Sequence, residues 1–221
     1  GILADGSEEV IGGSVGLFQA PVWTSDGLIT LRTTSSGEVL SVWDGEGFRD
    51  VVRIEGATRF VVGDGALAIQ AIGDREVPGI SVANRAQQVE VLPGGVLLAL
   101  DLATGEGETI LDELSPFYQW DPAGTKLLFS TVDQGDTTTF TWWIWEDGSV
   151  TELDTFVPSP IWFRDVVPFF DQYDQSAPVW DASGTTFAYP AIDGDQPVVV
   201  VQPLGGDASS IPDAIWATWS P

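Results

Sequence analysis

A short segment recurs along this chain: a tryptophan after an apolar or polar strand residue, a tight turn closed by glycine, then an apolar strand. It reads Pro21-Val22-Trp23-Thr24-Ser25-Asp26-Gly27 ahead of Leu28 to Leu31, and Tyr118-Gln119-Trp120-Asp121-Pro122-Ala123-Gly124 ahead of Leu127 to Phe129. It returns as Pro178-Val179-Trp180-Asp181-Ala182-Ser183-Gly184 ahead of Phe187 to Tyr189, and begins again at Trp219-Ser220-Pro221. A degenerate copy, Phe60-Val61-Val62-Gly63-Asp64-Gly65 ahead of Ala66 to Ile69, has Val61 at the tryptophan position. The anchors at 23, 61, 120, 180 and 219 are therefore 38, 59, 60 and 39 residues apart. Such self-similarity outranks any local reading, because each repeat is one supersecondary unit that must bury its face against a neighbour. Two spacings match a unit of about 40 residues and two carry roughly 20 more.

A second element recurs in phase with the first. Apolar runs face each other across Asp5-Gly6 (Ile2 to Ile11), Asp44-Gly45 (Leu40 to Ile54), Thr104-Gly105 (Val96 to Leu111), Asp147-Gly148 (Trp142 to Leu153) and Gly205-Gly206 (Val198 to Ile211). Asp-Gly and Gly-Gly pairs between apolar runs signal hairpins, since such turns need positive φ at little steric cost. Each unit thus supplies strand, turn, strand, then hairpin: four strands, the number one blade of a β-propeller requires. A two-sheet sandwich also offers many short strands, but it does not repeat a tryptophan, a turn and a hairpin in fixed order. The expected fold is all-β, a propeller of four-stranded antiparallel blades with about five blade units, incomplete at the ends. The units run approximately 1–17 (partial), 18–56, 57–114, 115–159, 160–213 and 214–221 (partial), within one domain. Trp23, Trp120, Trp180 and Trp219 read as structural, each filling the wedge between neighbouring sheets. The turn aspartates read as turn chemistry, their carboxylates accepting bonds from nearby backbone amides.

Composition narrows the function. The 221 residues carry 8 basic against 33 acidic side chains, a formal charge of −25, which repels nucleic acid and anionic membrane surfaces. Cysteine, histidine and methionine are absent, which removes the soft and imidazole ligands of zinc, copper, haem and iron–sulfur sites, as well as Ser-His-Asp and Cys-His mechanisms. No metal site, cofactor or catalytic constellation stands above the repeat. No apolar run approaches the roughly 18 residues of a membrane span, so membrane insertion is not expected.

The two long spacings mark insertions, and loops at the ends of a propeller are where such folds bind. One insertion spans Asp74 to Pro93 and includes Arg75, Arg85, Gln87 and Gln88; it reads as a solvated loop. The other runs from Pro160 to Ala177 and contains Trp162, Phe163, Arg164, Phe169, Phe170 and Tyr173 among Asp165, Asp171 and Asp174. Aromatic and arginine side chains are the usual anchors of interfaces, so those six form the candidate partner-binding loop. The competing reading is that the segment folds back as a short helix over its own blade. A carboxylate pair for glycoside hydrolysis among the three aspartates is a further, weaker reading, since 33 acidic residues guarantee accidental clusters.

The copies at 21–31, 117–129 and 178–189, with Trp219-Ser220-Pro221, resemble the repeat of TolB-like propellers, which reads approximately Pro-x-Trp-Ser-Pro-Asp-Gly before an apolar strand. The resemblance implies a periplasmic or extracellular, non-enzymatic scaffold that binds a protein or peptide. Alternatives are the propeller domain of a larger, prolyl-oligopeptidase-like hydrolase, or a sugar-binding or sensor propeller. The chain opens on the closing hairpin of one unit and stops on the first strand of another. It is expected to be a segment of a longer exported protein, completed by missing blades or an oligomer, or else a five-unit ring with one stunted unit in which Ala217-Thr218-Trp219 joins the Ile2 to Ile11 hairpin. The charge excess makes a direct prediction: raising sodium chloride from about 20 mM to about 500 mM screens self-repulsion and raises the melting temperature by several degrees. A melting temperature flat in salt would contradict it.

Overall fold

The computed structural model describes residues 21–35, 37–54, 58–71, 80–83, 89–92, 95–173 and 178–219. It is all-β and antiparallel, with one short helical insert, and none of its sheets closes on itself among the described residues. The hairpin expected over Ile2 to Ile11 lies outside the described residues.

The first set of strands is β1 (Val22–Thr24), β2 (Gly27–Thr34), β3 (Gly37–Trp43) and β4 (Phe48–Ile54), paired in that order. The second opens with β5 (Thr58–Val62) and β6 (Ala66–Ala71), is interrupted by a hairpin of β7 (Ile80–Ala83) and β8 (Val89–Leu92), and resumes with β9 (Leu97–Asp101) and β10 (Gly107–Leu111). Its sheet order is β10-β9-β6-β5. The inserted hairpin leaves that sheet and pairs with the first, through Val52↔Val82 and Arg53↔Ser81. The insertion at 74–93 is thus not simply a loop: Ile80 to Leu92 alternate well enough to make a ladder that caps the open edge of β4. Arg75, Arg85, Gln87 and Gln88 lie outside the described residues. The third set is β11 (Tyr118–Trp120), β12 (Lys126–Gln134), β13 (Thr138–Glu146) and β14 (Ser149–Pro158). In the fourth, a single bridge Trp180↔Phe187 stands where the first strand would be, followed by β15 (Thr186–Asp193), β16 (Gln196–Pro203) and β17 (Ser209–Pro212). The end of β14 pairs with β15 through Val157↔Ile192 and Pro158↔Ala191, which joins the third and fourth sets edge to edge.

The sets stack face on face. A strand with one face in water alternates apolar and polar residues, whereas β6 is buried from Leu67 to Gln70 and β12 from Leu127 to Ser130. In the second set, Leu67, Ile69, Leu98 and Leu100 share a core with Ile29, Leu40 and Val42 of the first. Their alternate neighbours Ala68, Leu97 and Ala99 share the other core with Leu127 and Trp120 of the third. The period of two along β6 and β9 therefore splits one sheet between two interfaces.

Contacts between successive inner turns repeat as well. The turns of the third and fourth sets match at the atomic level. Asp121 Oδ1 accepts from the amides of Thr125 and Lys126 at 2.7 and 2.8 Å, and Asp181 Oδ1 from those of Thr185 and Thr186, each at 3.0 Å. Each turn glycine then sits on the aspartate of the turn before it. A Cβ added at Gly65 would stand 3.6 Å from Asp26, one at Gly124 2.5 Å from the Asp64 amide nitrogen, and one at Gly184 2.9 Å from Asp121. The anchor indoles add a second repeated contact. Trp180 Nε1 donates to the carbonyl of Gln119 at 3.4 Å, and Trp219 Nε1 to that of Val179 at 2.6 Å. In both, the acceptor is the residue just ahead of the previous anchor.

Trp120 and Trp180 are buried, as wedge fillers should be, but Trp23 is 55% exposed and meets Trp43 edge-on at a centroid distance of 6.3 Å. Trp23 heads the first described set, so no preceding inner strand lies against it among the described residues. Trp120 is buried against Gly63, with no carbonyl bonded to its Nε1: a Cβ on Gly63 would come 2.8 Å from Trp120 Cγ. Gly124 tests the stacking most sharply, having φ +68° and backbone of Asp64 on its open side. Gly124→Ala is expected to cost about 2 kcal/mol or more, read as a lowered urea midpoint at unchanged slope. An unchanged midpoint would mean that this turn is not seated on Asp64.

Candidate functional site

The insertion after β14 is helical. Ser159 starts it by accepting at Oγ from the Trp162 amide at 3.3 Å, a wide π-helical turn covers Trp162–Val166, and a single α-helical turn, α1, covers Phe170–Tyr173. Helical spacing sorts its side chains between two sides. Trp162, Val166 and Phe170 are buried, while Phe163, Arg164 and Phe169 are exposed. Trp162 packs on Phe117 at 5.0 Å between ring centroids and on Trp142 at 5.5 Å, and Phe170 on Tyr118 at 4.8 Å. Of the six residues named from sequence, Trp162 and Phe170 therefore serve the core, as the fold-back reading expects. Phe163 lies edge-on to Phe140 at 5.3 Å with part of its ring in solvent. Tyr173 closes α1, and its side chain and Asp174 lie outside the described residues.

What remains outward bounds an apolar groove of about 420 Å³. Phe117, Val166 and Phe170 form its buried floor; Phe169, Ile215 and Trp216 form exposed lips at 42%, 56% and 40%. Arg164 and Asp165 are the charged residues lining it, and they satisfy each other through two bonds, Nε to Oδ1 at 2.8 Å and Nη2 to Oδ2 at 2.6 Å. The paired guanidinium holds the Asp165 carboxyl below the usual carboxylate range. Burial pushes Asp171 the other way, above its usual range, against the pull of Arg59, whose guanidinium lies 5.4 Å from the Phe170 ring centre.

Ile215 and Trp216 were not singled out from sequence. A signal for Trp216 exists in the repeat: it stands three residues ahead of the Trp219 anchor, where Phe117 stands ahead of Trp120. Two copies thus place an aromatic at the same offset, and both enter this groove.

A second cleft, of about 560 Å³, is lined by inner segments of all four sets, with Val22 to Ser25, Val62 to Asp64, Gln119 to Pro122, Pro178 and Trp180 around it. Gln119 lines both clefts, at 4% exposure, with its Oε1 accepting from the Val179 amide at 2.9 Å. The groove and the turn-side cleft therefore lie on either side of one pinned glutamine. Among the described residues no group of three or more acidic side chains is gathered closely enough to hold a metal ion. No described helix is long and apolar enough to cross a membrane.

No family model matches this chain, and no curated protein sequence matches it. Among solved structures it is similar to TolB from Acinetobacter baumannii, at 15% identity and a TM-score of 0.49, over 96% of this chain and 47% of that one. It is also similar to a prolyl endopeptidase analysed for inter-domain dynamics in catalysis and specificity, at 12% identity and a TM-score of 0.46, over 90% of this chain and 30% of the other. The chain thus spans about half the length of the first structure and less than a third of the second.

The two sides of the insert separate stability from surface. Trp162→Ala is expected to cost about 3–5 kcal/mol, the range for emptying a buried large aromatic site, and Phe163→Ala about 1 kcal/mol or less. Equal losses in chemical denaturation would show that the insert does not pack as described.

Proposed function

We propose that this chain is a propeller of the TolB-like kind, about five blade units with incomplete ends, acting as a non-enzymatic scaffold that binds a protein or peptide in the groove beside the helical insert. Successive antiparallel sets of strands, the second buried on both faces, with like turn contacts and a like indole bond at Trp180 and Trp219, support the propeller part of the reading. The observation that carries the binding part is the exposed row of Phe169, Ile215 and Trp216 around a buried aromatic floor. Large apolar side chains in a contiguous patch are expensive to leave in water and mark interaction surfaces, and aromatic anchors seated over a packed base are the common form of an interface hot spot.

The groove is also shaped for a side chain. A volume of about 420 Å³ is at the small end of ligand pockets and accepts one or two large residues of a partner. By the same resemblance the scaffold belongs to an exported protein, periplasmic or extracellular, and the described part is one segment of it.

A random peptide library displayed on phage, selected on the intact chain, tests the reading. Clones enriched on the native protein are expected to lose about tenfold or more in binding to Phe169→Ser/Trp216→Ser, while the melting temperature stays within a few degrees because neither side chain belongs to the buried core. Phe170 is unsuitable for this purpose, being part of the core. Clones that bind both proteins equally would overturn the groove as the site.

A further inference from the structure

We infer that the partner of the groove is a basic amphipathic segment, one large apolar side chain flanked by lysine or arginine; this rests on the scaffold reading above and specifies its partner.

The lining of the groove carries no net positive charge. Arg164, its basic residue, is bound through Nε and Nη2 to Asp165 on the same turn. An acidic segment arriving there would meet the Asp165 carboxylate beside the guanidinium. Two acidic residues neighbour the lining in sequence: Asp171 follows Phe170, and Asp213 stands two residues ahead of Ile215. The basic group facing this region from a neighbouring strand, Arg59 on β5, is turned toward the Phe170 ring and interacts with Asp171 behind it. Beyond the local groups, 33 acidic against 8 basic side chains give the whole molecule a negative field that draws cationic segments in and turns anionic ones away.

The lips add a short-range reason. Trp216 is 40% exposed, and an indole face attracts an ammonium or guanidinium group, which a carboxylate partner cannot exploit. The apolar floor of Phe117, Val166 and Phe170 then selects for a large hydrophobic side chain beside that cation. Charge outside and aromatic surface inside together describe one kind of partner, and neither alone would.

Three fluorescein-labelled peptides of equal length test this by anisotropy on the intact chain: one with a Trp-Leu centre flanked by lysines, one with the same centre flanked by glutamates, and one with lysines around a Ser-Ser centre. The expected result is that the first binds about tenfold or more tighter than either other at roughly 20 mM salt, that its advantage over the glutamate peptide shrinks to about threefold or less at roughly 500 mM, and that Phe169→Ser removes its binding. If the glutamate peptide binds as well as the first, the basic character of the partner is wrong while the groove reading stands. If both lysine peptides bind alike, or Phe169→Ser leaves the first unaffected, the attraction is a general surface effect and the inference falls. If neither Trp-Leu peptide binds at either salt concentration, the groove does not take peptides and the scaffold reading fails with it.

Discussion

The described architecture depends on how closely successive inner turns approach. Gly124 lies with its open side on the backbone of Asp64, and Gly184 with its own on the Asp121 side chain, distances that leave no room for a Cβ. Once the turns touch, the inner strands beside them must converge while the sheets behind them stay about 10 Å apart, as packed sheets do. That geometry opens a wedge between neighbours, and the anchor tryptophans occupy it. The indole bonds from Trp180 to Gln119 and from Trp219 to Val179 follow from the same placement, since a side chain filling the wedge reaches the preceding inner strand. Between the third and fourth sets the glycine, the aspartate and the tryptophan of the motif are thus three parts of a single contact.

The wedges are not filled alike. Between the first and second sets the shared core is aliphatic, with Phe60 its one aromatic, whereas the third and fourth sets enclose Trp142, Phe156, Trp180, Phe187 and Tyr189. The insert belongs to this difference. Trp162, Val166 and Phe170 extend that aromatic core past the end of the sheets, where β14 and β15 pair over two residues only. The insert leaves Arg164 and Phe169 exposed, so the surface they form is the back of a piece of core. Tyr189 donates to Asp154 at 3.1 Å, and burial and that neighbouring carboxylate raise its phenol far above the usual range; it stays neutral and structural.

Much of this could be read from the residues alone. The motif copies around Trp23, Val61 and Trp120 lie on strand, turn and strand, that around Trp180 has a single bridge in place of its first strand, and four of the five hairpins proposed from glycine pairs lie within described residues and join strands there. These succeed because turn chemistry is local: Asp44 Oδ1 accepting from the Glu46 and Gly47 amides is settled by neighbours in sequence. What was not legible depends on distant partners. Ile80 to Leu92 carries no tryptophan and no tight glycine turn, so nothing local said that it would leave its own sheet for β4. Burial within the insert was equally hidden, since Trp162 and Phe163 are the same kind of residue until Phe117 and Trp142 are placed beneath one of them. The partnership of Trp216 with the insert crosses nearly 50 positions and appears only as a faint echo of Phe117.

The acidity of the chain is not uniform in its role. Asp44 and Asp101 accept amide hydrogens within their own turns, from Glu46 and Thr104, and Asp64 is bonded by the side chain and amide of Ser25 in the turn before it; those bonds hold the three carboxyls below the usual range. At Asp181 burial pulls upward, but bonds from Ser183, Thr186 and Thr185 outweigh it and the carboxyl is again lowered. A lowered folded-state pKa gives stability that is full above the unfolded carboxylate pKa and lost as pH falls through the folded value, so these groups favour the native turns throughout the neutral range. Their charges are engaged by turn amides. The carboxylates without such bonds give the surface its reach, a field felt within a Debye length of about 10 Å. In the lining of the groove the charged residues cancel, while Phe169 and Trp216 stay partly exposed.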